Sequence, residues 1–136
     1  MAAPISGPVY ALRLTPGQDL RTALATFAQS HQLQAGVILT AVGSLQQAAL
    51  RFAGADAATV LAGPFEIVSL VGTLSVHGLH LHGAVSGPTG ETIGGHIMAG
   101  CRVHTTVELA IADLPNYRFK REIDPATGYR ELVIDF

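Results

Sequence analysis

Residues 78–83 read GLHLHG and residues 94–96 read GGH, so His80, His82 and His96 crowd into one short stretch of chain. Side chains two apart in a strand point to the same side, about 6.5 to 7 Å apart along the chain. His80 and His82 therefore share a face, and Leu79, Leu81 and Val85 share the other. The run Ser86-Gly87-Pro88-Thr89-Gly90 reads as a turn that folds Thr92–Met98 back beside Leu79–Val85, bringing His96 to the pair. Three imidazoles from one hairpin can hold zinc at about 2.0 to 2.1 Å, with water in the fourth position. On residue pattern alone this reading competes with a plainer one, histidines hydrogen-bonded on a polar sheet face, because His-x-His often arises by chance. His77 falls in the preceding turn and is a spare ligand at most.

A second polar group lies further on. Val103–Ala112 alternates, with Val103, Thr105, Val107, Leu109 and Ile111 on one face and His104, Thr106 and Glu108 on the other. Glu108 could serve as a general base near metal-bound water or orient a ligand histidine. It could equally pair with Arg51 or Arg102 at a subunit contact, and His104 carries the same ambiguity. Glu108 and His104 are thus the catalytic candidates. Neither a phosphate loop nor a Gly-x-Ser-x-Gly nucleophile elbow is present.

The elements that must position these residues are mostly strands. Val9–Leu14 opens as a strand, and Thr15-Pro16-Gly17-Gln18-Asp19 then offers a capping hydroxyl, an early proline and an acid. Leu20, Leu24, Phe27 and Ala28 follow at helical spacing, so one amphipathic helix runs to about His31, which suits the helix C-terminus. After it the period becomes two. Val37–Leu45, Ala48–Phe52, Phe65–Leu74, Leu79–Val85, Thr92–Met98, Val103–Ala112, Phe119–Ile123 and Arg130–Ile134 read as strands, and residues 124–128 as the loop of a closing hairpin. The expected fold is α+β in two layers, an antiparallel or mixed sheet of about eight strands covered by one long helix. Glycines interrupt several strands, and Gly94-Gly95 beside His96 imply close backbone approach there.

Length and composition frame the rest. A chain of 136 residues suits one domain spanning 1–136. Hydrophobic residues make up 49% and charged ones only 13%, against roughly a quarter in a typical soluble domain. The longest weakly polar run, residues 35–45, falls well short of the roughly 20 needed to cross a bilayer, so the excess is read as surface buried between subunits. MAAPISGP has no basic segment leading into an apolar one, which makes a cytoplasmic location the default. The single Cys101 reads as core. A net charge of −2 and the lack of any basic run argue against tight DNA binding.

In combination the motifs resemble a known family. AVGSLQQAALRF at 41–52, GPFEIVSLVGTLS at 63–75, the stretch from LHLHG through GGH to HTTVELAI at 79–111, and TPGQDL near the start are similar to the plants and prokaryotes conserved (PPC) domain, over nearly the whole chain. The resemblance implies a sheet with a covering helix, assembled as a homotrimer. Some members present three histidines to zinc, and those positions fall on His80, His82 and His96. Plant members follow an AT-hook, and stand-alone prokaryotic members are commonly called DNA-binding by that association. No Arg-Gly-Arg-Pro core occurs here, so minor-groove reading of that kind has no support.

Two functions follow. One is a homotrimeric binding and assembly module, of the kind labelled DNA-binding or regulatory, with zinc on three histidines. The other is a small zinc-dependent enzyme acting on an unidentified small molecule, with Glu108 or His104 moving protons. The first is preferred, because nothing in the sequence supplies the extra assumption that catalysis needs.

Overall fold

The computed structural model describes residues 7–136, and residues 1–6, on which the targeting argument chiefly rests, lie outside the described residues. The elements are β1 (Val9–Leu14), α1 (Leu20–Ser30), β2 (Gly36–Arg51), β3 (Thr59–Ser75), β4 (Gly78–Ser86), β5 (Thr92–Ile97), β6 (Arg102–Asp113), β7 (Arg118–Ile123) and β8 (Arg130–Asp135). Six strands form one sheet in the order β1-β6-β2-β3-β4-β5, and every pairing is antiparallel. The far end of β2 also pairs with β5, through Leu50 with Ile97 and Arg51 with His96. This second pairing closes β2, β3, β4 and β5 into a ring.

Several expectations need correction. The two strands expected at 37–45 and 48–52 are one, because bulges at Leu45/Gln47 and earlier positions break the period of two without ending the pairing. β3 begins at Thr59 rather than Phe65, since its early residues pair with β2 although most of them are exposed. The helix is short, 11 residues, and its N-cap is Asp19 rather than Thr15. Residues 15–19 are still tied to the sheet: the Gly17 N–H donates to Val103 O at 2.9 Å, and the Thr15 hydroxyl turns to Gln18 at 3.2 Å. Asp19 itself bridges Arg102 and the Leu20 N–H donates to Cys101 O at 2.8 Å, so the helix starts only beyond it, with the Asp19 carboxylate accepting from the Thr22 N–H at 2.9 Å.

The helix lays Leu20, Leu24, Phe27 and Ala28 against Leu45, Leu50, Leu74, Leu81, Val103 and Ile111, all buried in one core. Cys101 lies wholly inside it, its thiol donating to Ala49 O at 3.4 Å, and burial pushes that thiol's pKa up. β6 alternates as expected, with Val103, Val107, Leu109 and Ile111 buried. Thr105 departs from that pattern and is exposed, its hydroxyl 2.9 Å from that of Ser44. The β7–β8 hairpin is a separate two-stranded sheet. It docks through the Phe119 N–H to Gln34 O at 2.8 Å and the buried Ser75 hydroxyl to Phe119 O at 2.7 Å.

Candidate metal centre

The expected turn at 86–90 forms, with the Gly87 N–H donating to Glu91 O at 2.9 Å, and it sets β5 against β4. In that register His82 stands directly opposite His96. His80 lies two residues away on the same side, above Thr73 of β3. The rings meet: centroids are 4.8 Å apart for His80–His82, 4.4 Å for His82–His96 and 5.4 Å for His80–His96.

The backbone at this point admits little else. A side chain at Gly72 would strike the carbonyl of His80, so β3 can lie this close to β4 only with glycine there. At Gly95 a Cβ would stand 2.7 Å from Arg51 O, where β5 closes onto β2. The close approach expected from Gly94-Gly95 is therefore present and serves to seat His96.

The donor atoms suit one ion. The Nε2 atoms of His80 and His82 are 3.1 Å apart, near the edge of about 3.3 Å between two nitrogens of a tetrahedral zinc site. All three residues offer ligand atoms within 4.8 Å of one another. Burial lowers the pKa of His80, and the Arg121 charge adds to it. Burial, then Arg51, does the same for His96. Both effects favour the neutral imidazole, the form that binds a metal.

The other candidates stand elsewhere. Glu108 on β6 faces Arg13 of β1 and Val42 of β2 in register, and its carboxylate accepts from the Thr106 hydroxyl at 3.2 Å. His104 lines a separate hollow with Ser44, Phe65 and Ser86. His77 occupies the β3–β4 turn, its N–H donating to the Ser75 hydroxyl at 3.0 Å. His31 caps the helix and packs on Phe27 and Tyr10.

Beside the histidines opens a cleft of about 620 Å³ that strand patterns did not disclose, between β4, the 54–56 loop and the β7–β8 hairpin. His80 and His96 form part of its wall.

The sequence matches the profile of the Plants and Prokaryotes Conserved (PCC) domain over residues 1–115. The chain belongs to this family. A segment 51% identical over 127 residues, 93% of the chain, occurs in the bifunctional protein GlmU of Synechococcus sp. (strain JA-3-3Ab), where it corresponds to 20% of that protein. The chain thus spans about a fifth of this curated relative. Among solved structures, a hypothetical protein from Salmonella cholerae-suis superposes with a TM-score of 0.94 at 48% identity, covering 98% of this chain and 96% of that one. A metal-containing protein from Archaeoglobus fulgidus superposes at 0.83 with 25% identity, covering 98% and 99%.

Proposed function

We propose that this PCC domain is a binding and assembly module, a homotrimer in which His80, His82 and His96 hold zinc. The observation that carries the reading is the convergence of three imidazoles, with two Nε2 atoms 3.1 Å apart, on one hairpin. The solved Archaeoglobus relative described as metal-containing supports it. A unit corresponding to one fifth of a bifunctional protein also fits a module that travels with other domains.

Assembly is supported by the outer face of β2 and β3. Leu39, Val42, Val68 and Val71 are each more than half exposed there, an apolar surface that a lone chain leaves in water. A second and third copy would cover it, and the chain's low charge content suits that burial. Glu108 and Arg13, opposite each other on β6 and β1, would then serve subunit contact rather than catalysis. Cytoplasmic residence accompanies this reading; no helix among the described residues is long and apolar enough to cross a membrane. DNA remains a partner by family association alone, and a net charge of −2 supplies little attraction for phosphates.

One observation favours a second reading, a zinc-dependent enzyme. A cleft opens beside a site that three histidines leave with a free coordination position, and a bound zinc ion there would supply Lewis acidity and a water of lowered pKa. Neither Glu108 nor His104 lines that cleft, so proton transfer would fall to other groups.

Elemental analysis of untagged protein tests the metal. Near-stoichiometric zinc, lost in both His80→Ala and His82→Ala, is expected. Protein that takes up no zinc on reconstitution would refute the reading.

A further inference from the structure

We propose that the cleft beside the histidines receives a small organic oxyanion, one bearing a carboxylate or a phosphate, gripped by Arg51 and Arg121 and drawn in by Arg21 and Arg130. The chain holds eight lysines and arginines in all, and these four line one cleft. Such concentration in a chain of net charge −2 makes the cleft a local positive well.

None of the four is answered by a carboxylate at ion-pair distance. Arg21 reaches from the helix to the carbonyls of Ile97 at 3.1 Å and Leu79 at 3.4 Å. Arg51 donates to Ala55 O at 3.3 Å, Arg121 to the Thr73 hydroxyl at 3.1 Å and Arg130 to Arg121 O at 3.3 Å. Among the described residues the ion pair is Lys120–Asp135, within the β7–β8 hairpin. The neutral partners hold the guanidinium groups in place, and the acids of the same wall, Glu131 near Arg121 and Asp56, offset only part of their charge. Planar guanidinium forks suit carboxylate and phosphate oxygens.

The enclosure decides the size of the guest. About 620 Å³ lies within the usual range for small-molecule sites, and Asp56 and Glu131 on the same wall leave an excess of two positive charges. Acids in the wall would repel a long polyanion and can accept from the hydroxyl or amine groups of a small one. The inference goes beyond the zinc site and does not depend on it, since the grip comes from arginines.

The test is an NMR titration of the zinc-free full chain at low salt, with glutarate and phenyl phosphate as probes. Saturable shifts at cleft residues are expected, with Kd raised at least about tenfold in Arg51→Gln and Arg121→Gln, since hydrogen bonds to charged groups contribute about 1.5 to 3 kcal/mol. Arg13→Gln, on β1 opposite Glu108, should leave Kd unchanged. Dispersed spectra certify that each variant is folded, and Arg51→Lys should retain part of the affinity. No saturation with either probe, or saturation indifferent to both arginine substitutions, would overturn the proposal. Repeating the titration on His82→Ala, whose side chain is not in the cleft wall, separates the two ideas: the anion should still bind where zinc does not.

Discussion

His82 on β4 and His96 on β5 are direct cross-strand partners, with ring centroids 4.4 Å apart. Because β5 pairs with both β4 and β2, the backbone that carries these two histidines cannot separate without opening the closed ring of strands. Zinc should therefore stabilise the folded chain, by about 2.7 kcal/mol when free zinc reaches a hundred times Kd. Thermal melts with zinc and with chelator should differ in wild type and coincide in His82→Ala. A zinc-induced rise that survives in that variant would place the metal elsewhere.

Acid should weaken the zinc-free protein. His80 and His96 fold with pKa values held below the ordinary histidine value of about 6.5, so the unfolded chain binds more protons in the intervening window. Their stabilising contribution is complete above about pH 6.5 and is lost as pH falls from there through the folded values. Urea midpoints measured on either side of that window should drop on the acid side, and His80→Gln with His96→Gln should flatten the difference. An unchanged slope in the double variant would remove these two histidines as the cause.

Assembly can be read from mass. Val42→Asp and Val68→Asp place charge on the exposed apolar face of β2 and β3. Light scattering should show wild type at three times the chain mass and the variants as monomers with native circular dichroism. A monomeric wild type at micromolar concentration would sink the trimer.

Asp19 joins two structures, capping the helix through Thr22 and accepting from the Gly100 N–H at 2.6 Å through its other oxygen. Asp19→Ala should cost about 1 to 2 kcal/mol from the cap alone, and more if the Gly100 amide is left unpaired. Urea denaturation measures this directly. A loss below half a kcal/mol would mean that water replaces both bonds.

Leu81 stands between His80 and His82 but faces the core, where it is fully buried. Leu81→Ala should lower stability by about 2 to 5 kcal/mol. It should also weaken zinc binding, because the same strand carries two ligands. Unfolding and zinc titration on one sample will show whether the two losses travel together.

Much of the site was legible from residue types. Period-two spacing put His80 and His82 on one face, and the turn at 86–90 predicted that His96 would join them, because both rules depend only on neighbours along the chain. The breaks in β2 mislead for the same reason: a bulge interrupts the local pattern yet leaves the pairing with β3 and β6 intact, and pairing is a property of distant residues. Thr15 has a good capping side chain, but its segment remains tied to β6, and that attachment moved the cap to Asp19.

What the sequence by itself determined was the hairpin with its three histidines, the apolar core and the shortage of charge. The tertiary structure alone decided where the charges gather. Arg21 on the helix, Arg51 at the end of β2 and the pair Arg121 and Arg130 on the last hairpin come from three distant parts of the chain, and no periodicity relates them. They meet at one cleft because the β2–β5 closure and the docking of Phe119 on Gln34 and Ser75 bring those elements to the same edge. Glu108 was sent to the opposite fate, since the placement of β6 between β1 and β2 sets it across from Arg13 and outside the cleft.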